Sequence, residues 1–405
     1  MVVTSEARFQ RTPDGAIWTP DGPDYCFWSR YLSVFEQVRV VARTMDTARV
    51  KETARRVDGV GVEVWPVPHY VGPWQFLAVR RAVAEIVRGA ADDDDGVILR
   101  VPSAIGSMLA TRRDRRGLPY ALEVVADPYD IFSPGALKHP LRPLLRRRFT
   151  RRLRRECATA VAVSYVTQAH LQARYPASPA VPTVAASSID LQATAFVPQP
   201  RAVTGPANGE WNLITVATMD QLYKGIDTLV KAMTRLATMG CPVRLTHIGA
   251  GRFQSHLDEL ARRSGVANRV TFHGWCPPGR LLHQQLDAGD LFIMPSRTEG
   301  LPRALVEAMA RALPALGTRV GGIPELLAPE DLVQPGDPLA LAVAIADMLA
   351  DPARMTAASA RNLARARGFS TTELTPRRTA FYREVRRAVT QQESRCYQRD
   401  RTLSG

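Results

Sequence analysis

The second half of this chain alternates short apolar runs with amphipathic stretches, and that alternation restricts the fold more than any other feature. Apolar runs that read as buried strands fall at residues 212–217, 243–248, 269–272, 290–294 and 314–316. Helical patterns lie between them at 225–237, 254–264, 278–286 and 302–313. Strands joined through helices predict a parallel sheet covered on both faces. The crossovers are right-handed, and ligands sit outside the carboxyl ends of the strands. The first half repeats the theme less regularly, with strands at 37–41, 61–64, 96–101, 120–125, 159–164 and 182–185 and helices at 28–35, 74–88 and 143–156. The Pro-, Gly- and Ala-rich stretch 197–210 reads as a linker. The expected fold class is α/β, with two Rossmann-like parallel-sheet domains facing a central cleft, a favoured place for ligands. The domains are expected at 1–200 and 201–375, with a C-terminal helix over 376–405 that packs back on the first domain and frays from 391.

Composition narrows the class. With 405 residues, 45% apolar and 23% charged, the chain can build more than one core and is neither disordered nor a disulfide-stapled module. Cys26, Cys157, Cys241, Cys276 and Cys396 show no Cys-x-x-Cys spacing, so no zinc site or disulfide framework is expected and a reducing compartment fits. No run reaches the roughly 18 apolar residues of a membrane span. No basic stretch followed by an apolar core opens the chain. The expected location is cytoplasmic, with peripheral attachment at the inner face of the membrane as an option.

That option comes from the charge. The formal net charge is +14, and residues 138–156 hold nine Lys/Arg against one acid. Pro143 suits a first helical turn, and Leu145, Phe149 and Leu153 follow at steps of four as a narrow apolar stripe among arginines. Such a surface is either a solvated arginine face or an attractant for anionic lipid headgroups or a pyrophosphate-bearing acceptor. No nucleic-acid partner is expected, because no aromatics interleave with the basic run and no binding motif accompanies it.

The densest chemical signal is SRTEGLPRALVEAMA at 296–310. Glu299 lies in the loop before a helix and Glu307 within it, so two hydroxyl acceptors flank a helix N-terminus. Free amides at Gly300, Leu301 and Arg303 would face an anion between them. A sugar joined through diphosphate to a ribose has that layout. In VATMDQLYKG (216–225), Lys224 and Thr218 are placed to meet a phosphate at the sheet edge. In THIGAGR (246–252), Gly249 permits close backbone approach. The missing third glycine argues against a nicotinamide or flavin site.

These segments, with VTFHGW and EGLPRALVEAMARALPALGTRVGGIPELL, resemble the retaining nucleotide-sugar glycosyltransferases of family 4, of the glycosyltransferase-B (GT-B) architecture. The resemblance is strong over 211–351 and looser before it. It implies that Glu299 contacts the donor sugar, Glu307 the ribose, and Lys224 the donor diphosphate, while Phe272 lies where the base is lined. It implies a UDP- or GDP-linked donor as substrate, no cofactor, no metal and retention at the anomeric carbon. There are departures. Ala217-Thr218 stands where the family has Gly-Arg, so a hydroxyl replaces one of two cationic phosphate contacts unless Arg252 or Arg303 substitutes. The stretch ALEVVADPYD lacks the family's histidine, leaving Asp127 as its nearest polar candidate. The glycine-rich loop after the first strand is replaced by residues 19–28.

The acceptor is expected on the first domain, where aromatics concentrate; Tyr25 and Trp28 are acceptor-side candidates, whereas Trp65 and Phe76 read as core. Acceptors considered are a sugar or lipid-linked sugar in cell-surface polysaccharide or glycolipid assembly, and a soluble natural product. A sugar-nucleotide epimerase on the same fold and a non-catalytic basic scaffold are the rival classes; a phosphorylase would need a pyridoxal-binding lysine that is not found.

Overall fold

The computed structural model describes residues 1–133, 140–206 and 209–403. Lys138 and His139 of the basic run, residues 207–208 of the linker and the last two residues lie outside the described residues.

Two parallel sheets form two lobes. The first carries β1 (Val2–Arg11), β2 (Ile17–Thr19), β3 (Val38–Asp46), β4 (Arg55–Arg56), β5 (Val62–Pro68), β6 (Val97–Val101), β7 (Ala121–Val124), β8 (Val163–Tyr165) and β9 (Thr183–Ala185). Its parallel core runs β5-β3-β1-β6-β7-β8-β9, with β2 and β4 attached antiparallel beside β1. The second carries β10 (Trp211–Val216), β11 (Val243–Ile248), β12 (Val270–Gly274), β13 (Leu291–Met294), β14 (Ala315–Thr318) and β15 (Leu332–Val333), ordered β12-β11-β10-β13-β14-β15 and parallel throughout. The fold class is the expected one. In the second lobe β10–β14 and the helices between them lie within three residues of the sequence reading, because the inner strands β10, β13 and β14 are largely buried on both faces and each helix has one apolar side.

The first lobe was read less completely. The central strand β1 escapes the pattern: Glu6 and Arg8 interrupt its apolar run, and the register slips between Thr4 and Arg8. That slip frees Glu6 to accept hydrogen bonds from Ser103 Oγ at 2.8 Å and Ala104 N at 2.7 Å, capping the helix Ala104–Arg116. This helix was also not anticipated; its five arginine and aspartate residues over the last five positions hide the buried Ile105 and Leu109. Where a helix over 28–35 was expected, Asp24 caps a short turn Tyr25–Trp28, and a 3-10 turn follows at Ser29–Ser33.

The lobes are joined twice. The linker segment is seated on the second lobe, where Arg201 donates to the carbonyls of Arg311 and Gly289. The C-terminal helix Thr371–Leu403 returns to the first lobe, placing Phe381 and Tyr382 in the core that holds Trp28 and Tyr31. It continues through the stretch expected to fray, which is rich in helix-compatible Arg, Gln and Glu.

Candidate active site in the interlobe cleft

Loops at the carboxyl ends of β10, β11, β13 and β14 converge on one edge of the second lobe. Two glycines make the convergence possible. Gly225 has φ +74°, and a Cβ there would stand 1.9 Å from the Pro295 carbonyl oxygen. Gly321 has φ +53°, and a Cβ would stand 2.0 Å from the Glu299 carbonyl oxygen. Only glycine allows either approach.

The convergence brings Lys224 and Glu299 together across 75 residues of chain. Lys224 Nζ donates to Glu299 Oε1 at 2.7 Å, and Ser296 Oγ donates to the same oxygen at 2.7 Å. Both side chains are largely buried, with 19% of Lys224 and 8% of Glu299 exposed. Arg297, not singled out from the sequence, staples the loop that carries the lysine. Its guanidinium reaches Leu222 O, Asp227 Oδ2 and Thr228 Oγ1 at 2.7–2.8 Å, and its amide donates to Tyr223 O at 2.7 Å. A lone arginine two residues from an acid gives no sequence signal for this role.

The helix Arg303–Ala310 starts one residue later than expected, with Pro302 as its N-cap. The N–H groups of Gly300, Leu301 and Arg303 make no hydrogen bond among the described residues, as a free helix N-terminus requires. Glu307, a turn along, is buried and accepts from Arg303 Nε at 2.9 Å. Thr218 Oγ1 lies 3.1 Å from Asp220 Oδ2 and 3.3 Å from the Ala250 carbonyl, which ties the β10 loop to the glycine turn at Gly249. Arg252 is exposed and donates through Nε to Asp220 O at 2.8 Å. Phe272 packs near Met219, Leu257 and His247. His247 is fully buried, and burial pushes its imidazole down to about 4, so it stays neutral.

The opposing wall comes from the first lobe. Gly300 is so close to the Val125 carbonyl that a Cβ would stand 2.9 Å from it. Beside this contact a cavity of about 330 Å³ opens between the lobes. Leu301 and Arg303 line one side; Asp24, Phe27, Arg55 and Arg100 line the other. Phe27 carries the guanidinium of Arg30 at 3.7 Å and that of Arg100 at 4.7 Å from its ring centre.

Three acceptor-side expectations need correction. Trp28 is fully buried and packs against Phe9, Phe27 and Tyr31, so its ring belongs to the core. Tyr25 turns its hydroxyl away to Val60 O at 2.9 Å, and Phe27 from the same turn faces the cavity instead. Asp127 is buried, where it accepts from Tyr129 N and Tyr175 Oη and binds Arg174. Burial opposes its ionisation, but His170, Tyr175 and Arg174 hold the carboxyl below the usual range. Asp127, Asp130 and His170 offer three atoms close enough together for a metal ion. Arg174 already bridges the two carboxylates and supplies the counter-charge there. The remaining residue missed from the sequence is Glu325, whose carboxylate crosses between lobes to accept from the amides of Gln168, Ala169 and His170 at 2.5–3.0 Å.

The chain is thus a two-lobed α/β protein with a lysine–glutamate pair at a helix N-terminus inside the cleft, and known proteins of similar sequence and fold can be compared with it. Residues 210–351 match the family model described as Glycosyl transferases group 1. Protein CapJ of Staphylococcus aureus is 25% identical over 324 residues, 78% of each chain. A GDP-mannose-dependent monoacylated alpha-(1-6)-phosphatidylinositol monomannoside mannosyltransferase of Corynebacterium glutamicum is 34% identical over 150 residues, 34% of this chain and 38% of its own length. Among solved structures, sucrose-phosphate synthase from Thermosynechococcus elongatus superposes with TM-score 0.70 at 19% identity, covering 95% of this chain and 98% of its own. Anabaena Alr3699/HepE in complex with UDP-glucose does so with TM-score 0.62 at 18% identity, covering 94% and 97%. The chain has the GT-B fold, and its residues 210–351 are similar to Glycosyl transferases group 1.

Proposed function

We propose that the chain transfers a sugar from a nucleotide diphosphate to an acceptor hydroxyl, with retention at the anomeric carbon and without a metal, in the assembly of a cell-surface polysaccharide or glycolipid. The observation that carries this reading is the Lys224–Glu299 pair beside the free amides of Gly300–Arg303. The difficult step is departure of a nucleoside diphosphate. Lys224, the Thr218 hydroxyl and the helix N-terminus provide preorganised positive charge where the leaving oxygen becomes negative. Glu299 holds a sugar hydroxyl, Glu307 the ribose diol, and the turn at Gly249 and the β12 residue Phe272 flank the base. The acceptor oxygen forms its bond to the anomeric carbon on the face from which the phosphate oxygen departs, and its proton passes to that oxygen. Arg252 and Arg303 are the nearest replacements for the second phosphate cation. The nucleotide in the relative's name is GDP and in the solved complex UDP, so both are candidate donors.

A thermal-shift panel with UDP, GDP and ADP tests nucleotide binding. One of the three should raise Tm, and silence from all three would remove the donor site. The anomeric configuration of the product, read by NMR, tests retention. Activity abolished by a chelator and restored by manganese would overturn metal independence.

A further inference from the structure

The arginine-rich helix Arg142–Thr159 does not simply display its charge to solvent. Pro143, Arg146, Arg147, Thr150, Arg151 and Arg154 recur at steps of three and four, so one face of the helix is a row of guanidinium groups. That face walls a groove of about 570 Å³. The facing wall is Tyr129 and Phe132, in the turn that follows β7, with Arg174 beside them.

The groove is built rather than incidental. Tyr129 is clamped between two cations, with Arg146 3.3 Å and Arg174 4.5 Å from its ring centre, and Arg146 Nε donates to Tyr129 O at 2.9 Å. Phe132 stacks on Phe149 from the helix at 5.2 Å. At the base lies Thr150, only 7% exposed, whose hydroxyl is near Tyr175 but makes no hydrogen bond of normal geometry. Of the groove arginines, Asp127 and Asp130 pair only with Arg174 among the described residues. Arg154 is held by the Arg174 carbonyl at 3.0 Å. Arg142, Arg147 and Arg151 have no carboxylate partner among the described residues. Unpaired like charges gathered around a concave surface raise the free energy of the empty protein, and a polyanion relieves it. Planar guanidinium groups match phosphate oxygens two at a time.

We infer that this groove binds a phosphate or diphosphate group carried by the acceptor. The inference rests on the glycosyl-transfer reading for the word acceptor, and on the groove alone for phosphate. Tyr129 is four residues beyond Val125, whose carbonyl meets Gly300 in the cleft. Four residues span at most about 14 Å. The groove therefore neighbours the first-lobe wall of the cleft, the side on which the acceptor is expected.

Titration calorimetry with inorganic pyrophosphate at constant ionic strength tests the site, using wild type, the double variant Arg147→Ala/Arg151→Ala and Lys224→Ala. Arg147 and Arg151 are exposed and alanine favours helix, so the double variant should fold, with unchanged UDP or GDP binding as its control. Pyrophosphate should bind wild type and Lys224→Ala alike and at least tenfold more weakly to the double variant. Loss on Lys224→Ala with none on the double variant would assign the anion to the donor site and overturn the inference. A soluble hexose phosphate and phosphatidylcholine vesicles doped with a polyprenyl diphosphate form two further arms. Arginine-dependent binding of one of them identifies the carrier of the phosphate. Binding of neither, or attachment to anionic phosphatidylglycerol vesicles that pyrophosphate does not displace, would show a diffuse basic surface and sink the proposal.

Discussion

At the scale of single residues, the two glutamates separate by the bonds they make. Glu307 is paired with an exposed arginine, a partner that a ribose diol replaces on the proposed reading. Glu307→Ala should weaken nucleotide binding by about tenfold to a hundredfold, the loss expected when hydrogen bonds to a charged group disappear, with calorimetry as the readout. Lys224→Ala should instead lower kcat by about a hundredfold or more, the size seen when a preorganised charge is removed from a developing anion. Wild-type kinetics for both variants would remove the site. His247 gives a pH signature. Its folded value of about 4 lies below the ordinary value of 6.5 because burial disfavours the imidazolium. The stability linked to it is therefore complete above pH 6.5 and is lost as pH falls towards 4, to a total of about 3 kcal/mol. Urea denaturation of His247→Phe should show a flatter slope over that window, and an unchanged slope would exclude the histidine as its source.

At the scale of elements, the loop bearing Lys224 is ordered by a residue outside the chemistry. Arg297→Ala would remove the side-chain donor to Leu222 O and Asp227 and loosen the 3-10 turn Leu222–Lys224. Donor KM should rise severalfold and kcat fall with it, while circular dichroism keeps the native helix content; kinetics like wild type would mean the glycine contact holds the loop alone. Arg297→Lys should rescue little, because a single ammonium cannot make three divergent bonds. The difference between Lys224 and Arg297 also explains what was legible beforehand. The apolar strands and one-sided helices of β10–β14 announce themselves, Lys224 and Glu299 fall in loops at the strands' carboxyl ends, and Glu307 lies in the helix that follows. β1 did not, because Glu6 performs a capping task inside a strand, and Arg297 did not, because its partners lie about 70 residues away in sequence. Tyr25 and Trp28, the acceptor-side candidates, lie in the turn 25–28, but neither is the aromatic that faces the cavity. Which of Tyr25, Phe27 and Trp28 meets the cavity depends on packing against the C-terminal helix, and no local pattern encodes that.

At the scale of the molecule, the cleft is held shut by a contact neither lobe uses for chemistry. Glu325 follows the glycine pair whose first member lies against Glu299, and its carboxylate accepts three amides at the start of the first-lobe turn His170–Arg174. Arg365 adds a bond to Gln168 Oε1 at 2.9 Å. A carboxylate at exposed amides gains less than a buried one, so the latch is worth about 1–2 kcal/mol, roughly a tenfold bias between closed and open lobes. That size suits the proposed reaction, in which the lobes open to release a nucleotide and close to exclude water. Glu325→Gln keeps the shape and removes the charge. Without ligand the variant should show a larger radius of gyration by small-angle scattering, and saturating nucleotide, whose phosphate and ribose contacts approach the same loops, should bring it back to the wild-type value. Because opening is then easier, product release should quicken wherever it limits turnover, while donor KM rises. An unchanged radius in the ligand-free variant would mean that the backbone contact of Gly300 with Val125 and the Phe381–Tyr382 anchor set the lobe angle by themselves, and Glu325 would be reduced to a helix cap.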